Sequence, residues 1–210
     1  MNEPLSAITH LVAALLSVAG LVIMIVFAVL CGRPSLVVGS AIFGSSLILL
    51  YLISCFYHFS FKGTKLRKIF KRLDHSMIYV LIAGTYTPIC LALPARGWGW
   101  SIFGVIWGLA VVGVILKATG ARIKEWLSVL IYILMGWFIV VAFYPMILWL
   151  PLSSYFWLVL GGVSYTAGCL FYALDGRVLR SRWFGMHEIF HLFVMLGSFS
   201  HFWFIFRFVI

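Results

Sequence analysis

Long uninterrupted stretches of apolar residues alternate with short polar connections along the whole chain. The apolar runs cover about residues 7–30, 37–60, 73–93, 100–117, 126–148, 153–174 and 186–208, and Gly, Pro, Arg and Lys gather between them. A run of about 20 apolar residues is what a helix needs to cross roughly 30 Å of hydrocarbon, so the pattern predicts a bundle of seven transmembrane helices filling a single domain, residues 1–210. The first run differs from a signal peptide: no Lys or Arg precedes it, Glu3 does, and it exceeds the length of a normal signal-peptide core.

Composition agrees with lipid as the main solvent. Hydrophobic residues make up 64% of the sequence and charged ones 10%, against roughly a half and a quarter in soluble domains. The formal net charge of +10 does not signal nucleic acid, because the basic residues form short clusters between apolar runs rather than one polar face. Anionic lipid headgroups are the expected partner of those clusters. Lys62, Lys65, Arg67, Lys68, Lys71 and Arg72 follow the second run, Lys117, Arg122 and Lys124 the fourth, and Arg177, Arg180 and Arg182 the sixth. These loops therefore face the cytoplasm, which predicts a cytoplasmic N-terminus and an external C-terminus in a multi-pass protein of the bacterial plasma (inner) membrane. Trp98, Trp100, Trp149 and Trp157 fall near the predicted outer ends, where amphipathic rings settle. The four cysteines lie singly in or beside apolar runs and read as small buried side chains; Cys31 and Cys90 share the outer side. No internal repeat or interrupted helix pair points to a transporter.

Ionisable residues at membrane depth are expensive and therefore mark function. The seventh run opens Met186-His187-Glu188-Ile189-Phe190-His191, and its i, i+4 histidines share one helix face about 6 Å apart. Such a pair either ligates one metal ion or makes two separate hydrogen bonds. The second run ends with Ser54 and His58 at the same spacing, and the third begins Leu73-Asp74-His75. The charge pattern puts all three clusters at one depth, which raises the metal reading. Three neutral imidazoles plus a water form the open tetrahedral arrangement of catalytic zinc. His58, His187 and His191 would be the ligands. Asp74 would accept a hydrogen bond from the bound water or orient a ligand, with Ser54 in a like role, unless Asp74 simply pairs with Arg72 or Lys71 at the interface. His75 points about 100° away from Asp74 and is expected to be interfacial. His10, near Glu3, is expected to meet headgroups rather than support the metal. Glu188 is turned off the histidine face toward a neighbouring helix or basic loop, and His201 lies roughly 15 Å along the axis from His191, too far to share its ion.

Taken together, Glu3 to His10, Ser54-x-x-x-His58, Leu73-Asp74-His75 continuing to Ala83-Gly84-Thr85-Tyr86-Thr87-Pro88, Met135-Gly136-Trp137, and His187-x-x-x-His191 followed by Gly197 and His201 resemble the hemolysin III family. That family is the bacterial branch of the progestin and adipoQ receptors, which include the adiponectin receptors. The resemblance spans nearly the whole chain. It implies a seven-helix bundle with zinc near the cytoplasmic side on His58, His187 and His191, and with Asp74 and Ser54 beside the metal-bound water. The family is grouped with alkaline ceramidases, so the resemblance implies a zinc-dependent hydrolase of a ceramide-like lipid amide or ester. The alternative is a non-enzymatic membrane sensor, receptor or cytolysin with structural zinc. The sequence lacks the receptors' long N-terminal cytoplasmic segment, so no protein hormone partner is expected.

Overall fold

The computed structural model describes residues 3–121, 123–175 and 185–210. Among them are seven helices long and apolar enough to cross a membrane: α1 (Pro4–Leu30), α2 (Pro34–Phe59), α3 (Lys65–Ala92), α4 (Arg96–Ala118), α5 (Glu125–Ile147), α6 (Leu152–Ala173) and α7 (Met186–Val209). Pro4 and Pro34 each occupy the first turn of a helix, where the missing N–H goes unneeded. α3 begins eight residues before its apolar run. Gly63 turns the chain with φ +88°, and the Thr64 hydroxyl then accepts the Arg67 N–H as an N-cap. The first turns of α3 are thus basic, solvated helix, invisible to a search for apolar length.

α1 through α4 pack in sequence order, α6 packs on α7, and α1 closes against α7. α3 is the central helix: 72% of its most apolar window is buried, against 17% for α5 and for α6. Small residues set the close approaches that helices in lipid rely on. A Cβ at Gly39 in α2 would stand 2.6 Å from the Pro88 Cα of α3. The outward residues, such as Leu15, Leu16 and Val22 of α1, are large, apolar and exposed, as a surface dissolved in lipid requires.

α5 is not continuous. It is α-helical over Glu125–Trp137, tightens to a 3-10 helix over Phe138–Ala142, and resumes for Phe143–Ile147. Pro145 accounts for the C-terminal side of the break, because it lacks an N–H for the Val141 carbonyl and its ring crowds that carbonyl. The disturbed ladder is repaired from α3. Tyr86 Oη accepts the Ile139 N–H at 2.7 Å and lies 2.8 Å from the carbonyls of Met135 and Gly136. Lipid offers no water for these groups, so a neighbouring side chain must satisfy them. α5 otherwise touches the bundle sparingly, which leaves space between it and α3.

All described basic residues from Lys62 to Arg72, with Lys117 and Lys124, lie at one end of the bundle. Arg33, Arg96 and Arg207 lie at the other, with Trp98, Trp100, Trp149 and Trp157. Arg122, Arg177, Arg180 and Arg182 are outside the described residues. The cysteines are all free, but only Cys55 and Cys90 are buried; Cys169 is half-buried and Cys31 is exposed. The expectation of four buried thiols fails at Cys31 because it caps the C-terminus of α1, beyond the packed part of the helix.

Candidate metal centre

His58 sits in the last turn of α2, while His187 and His191 occupy the first two turns of α7. The basic-loop end of the bundle brings them together, with α1 wedged against both helices. His58 and His191 are buried, 1% and 2% exposed, and His187 is half-buried. One nitrogen from each ring lies within 4.8 Å of the others, and this is a trio able to hold a metal ion. The ring centroids are 5.0 Å (His58–His187), 4.9 Å (His58–His191) and 4.6 Å (His187–His191) apart.

His58 Nε2 and His187 Nε2 are 3.4 Å apart, close to the roughly 3.3 Å between two nitrogens bound to one tetrahedral ion at about 2.05 Å, and the trio as a whole is looser, within 4.8 Å. Three neutral nitrogens suit zinc-like cations and leave a tetrahedral position open.

The sequence puts Glu3 and His10 at the right depth to support the metal but favours headgroup contact, and the structure sets Glu3 on His58. Glu3 Oε2 lies 2.8 Å from His58 Nδ1 and 2.9 Å from Arg67 Nη2, and Glu3 Oε1 lies 2.9 Å from Lys62 Nζ. Burial alone would raise the Glu3 pKa, but the bonds from His58, Lys62 and Arg67 outweigh it and hold the carboxyl well below the usual carboxylate range. An ionised Glu3 can only accept. The tautomer is therefore assigned with the proton on His58 Nδ1, which leaves the Nε2 lone pair turned toward His187.

His10 corrects the sequence reading. It is 2% exposed, not at the headgroups, and its ring stacks on His191 with centroids 3.7 Å apart at 14°. Its edge meets Tyr51 at 5.1 Å, and neither of its nitrogens has a hydrogen-bond partner. The reason is helical phase: His10 lies on the face of α1 that turns inward to α2 and α7. Glu188 behaves as expected, bonding to a neighbouring helix. Its Oε1 accepts the Ser6 hydroxyl of α1 at 2.8 Å, while its Oε2 accepts the Gly185 N–H at 2.8 Å and caps α7.

Asp74 and Ser54 lie on the wall of the same cavity as the three histidines, with the Ser54 hydroxyl in hydrogen-bonding reach of the Asp74 carboxyl. Asp74 is not tied off by a surface ion pair with Arg72 or Lys71 among the described contacts. His75 is half-buried on that wall and its carbonyl accepts the Tyr132 hydroxyl at 3.0 Å, so it is not purely interfacial. His201 lines the cavity far from the trio, beside Tyr165 at 5.5 Å.

The cavity has a volume of about 1980 Å³. It runs between α3, α5, α6 and α7, from Lys71 and Lys124 at the basic end past the histidines to Met146 and Tyr155. Ordinary small-molecule pockets are roughly 300–1,000 Å³, so this space suits a ligand with a long apolar part. Its walls are mainly apolar, and polar groups concentrate at the histidine end. The break in α5 and the cavity had one sequence signal, Pro145.

The sequence as a whole matches the model of a family described as "Haemolysin-III related" over residues 1–202. The chain is similar to "Hemolysin-3" of Bacillus cereus, 40% identical over 197 residues that cover 94% of this chain and 87% of that protein. It is also similar to the "Hemolysin-3 homolog" of Bacillus subtilis (strain 168), 38% identical over 198 residues, covering 94% and 89%.

Proposed function

The chain belongs to the haemolysin III family of multi-pass membrane proteins, and from that premise we propose that it is a zinc-dependent hydrolase of a lipid amide or ester, ceramide-like in form. The observation that carries the proposal is the trio His58, His187 and His191 at one end of a cavity of about 1980 Å³ with apolar walls. Zinc held there would lower the pKa of a coordinated water toward about 7 and polarise a carbonyl. The remaining work falls to the chain. In this reading Asp74 takes a proton from the attacking water and delivers it to the leaving nitrogen or oxygen as the acyl bond breaks. Ser54, within hydrogen-bonding reach, orients the Asp74 carboxyl. The apolar walls exclude bulk water and seat the acyl chain, so the scissile carbonyl arrives at the polar end.

In the same reading the basic loops are cytoplasmic and rest on anionic headgroups of the inner membrane, which places the histidine end at the inner leaflet. A membrane lipid is the partner in this reading.

The test is purified protein assayed for metal content and for hydrolysis of a ceramide-like lipid, wild type against His187→Ala/His191→Ala. The variant is expected to lose both. Hydrolysis that survives with the metal gone would end the proposal.

A second reading rests on the word hemolysin in the relatives' names: a protein that perturbs or senses the membrane, with zinc bracing the helices. Liposome leakage that persists after chelation, with no lipid product by mass spectrometry, would favour it.

A further inference from the structure

The N-terminal end of α1 touches two members of the trio and the residue beside the third. Glu3, the residue that precedes the helix, bonds His58 Nδ1 at 2.8 Å. Ser6, wholly buried, bonds Glu188, which lies next to His187 and caps the helix carrying both α7 ligands. His10 stacks on His191 at 3.7 Å. These residues stand at i, i+3 and i+7, within about 60° of one another at 100° per residue. The opposite side of the same turns, Ile8 and Val12, is exposed as a lipid-facing surface.

We infer that this face of α1 is the positioning surface of the metal site, with Glu3 as the positioning residue that fixes how His58 presents Nε2. The inference rests on the site reading above. Without a carboxylate at Nδ1, an imidazole can carry its proton on either nitrogen and can turn about its Cβ–Cγ bond, and both freedoms weaken its hold on a metal. Glu3 removes both at once. Its bonds to Arg67 and Lys62 leave Oε2 facing Nδ1, so the carboxylate is itself held in place before any metal arrives. Ser6 acts one step further out, by fixing the first turn of α7, and the His10 ring packs flat against His191 and restricts its rotation. The three act through the ligands.

The alternative is a structural tether, in which Glu3 merely ties the chain end to the α2–α3 loop. Arg67 and Lys62 separate the two roles, since both belong to the tether and neither touches a histidine ring.

The experiment measures zinc affinity of the purified full chain in detergent by competition with a chromophoric chelator. Loss of an outer partner of a ligating histidine typically costs about 10–100-fold in metal affinity, and Glu3→Ala is expected in that range. Glu3→Gln, whose Oε1 still accepts from Nδ1–H, should fall between Glu3→Ala and wild type. Arg67→Ala and Lys62→Ala loosen the Glu3 carboxylate but leave it on Nδ1, so each should cost clearly less than Glu3→Ala. Cobalt bound in place of zinc should show an altered d–d spectrum in Glu3→Ala and not in Lys62→Ala. Should Glu3→Ala fail to fold, Ser6→Ala removes a single hydroxyl from the same surface and should weaken zinc within the lower part of that range. Wild-type affinity in Glu3→Ala, or in Ser6→Ala where that variant stands in for it, overturns the inference and leaves the site reading standing. So does an Arg67→Ala loss equal to that of Glu3→Ala. A wild-type protein that holds no zinc overturns the site reading, and the inference with it.

Discussion

Replacing Tyr86 by Phe removes one oxygen from the interior and nothing else. That oxygen accepts the Ile139 N–H at 2.7 Å and faces the Met135 and Gly136 carbonyls at 2.8 Å. With one proton it donates to one carbonyl at a time, and the Met135 carbonyl also accepts the Phe138 N–H, so its loss takes the hydroxyl acceptor from the Ile139 N–H and one bond from the carbonyls at the break in α5. A buried polar group left without a partner costs about 1–3 kcal/mol. Polar contacts between membrane helices measure lower, averaging about 0.6 kcal/mol with a maximum near 1.7, because the unfolded reference in lipid also finds partners. One N–H that loses its hydroxyl acceptor and a carbonyl that loses one bond, beside a helix that packs loosely, should cost about 1–2 kcal/mol in total, a factor of roughly 5–30 in the folded-to-unfolded ratio.

The assay is reversible unfolding in mixed micelles, followed by circular dichroism. A Tyr86→Phe cost below about 0.5 kcal/mol, the scale of neutral surface changes, would refute the account of the break.

Other perturbations test packing and chemistry separately. Gly39→Ala would set a Cβ 2.6 Å from the Pro88 Cα, forcing α2 and α3 apart, and should cost about 1–3 kcal/mol, whereas Gly104→Ala in α4, with nothing within 4 Å, should be neutral or slightly stabilising; the same unfolding assay reads both. Asp74→Asn keeps the three ligands and the Ser54 contact but cannot take a proton, so it should retain zinc by metal analysis while turnover falls by about 10²–10⁴; full turnover in that variant would remove Asp74 from the mechanism.

The histidine centre was legible in unequal parts. His187 and His191 announce themselves, since the helical period alone puts i and i+4 on one face. His58, Ser54 and Asp74 could be brought to the same depth by the charge pattern, because depth follows from distance along a helix to its basic end. Glu3 and His10 were readable only in part. Their i, i+7 spacing, with Ser6 between, is a local signal, yet which side of α1 turns inward depends on the neighbours it meets, and lipid-facing Leu and buried Ala are both apolar. Local pattern alone therefore assigns His10 to the headgroups, and its stack on His191 is a product of the packing.

Hydrophobic length, charge bias and helical phase are properties of neighbouring residues, and so the sequence alone determined the seven spans, the basic end and the pairs of polar residues each helix presents. Which helices adjoin is a property of the whole. The contact of α1 with α7, the 55-residue step from Glu3 to His58 and the cavity beside α5 depend on how small-residue faces mesh and on where Tyr86 meets a broken ladder. No local pattern contains that information, because in lipid the apolar residues that face a neighbour and those that face the bilayer are chemically alike.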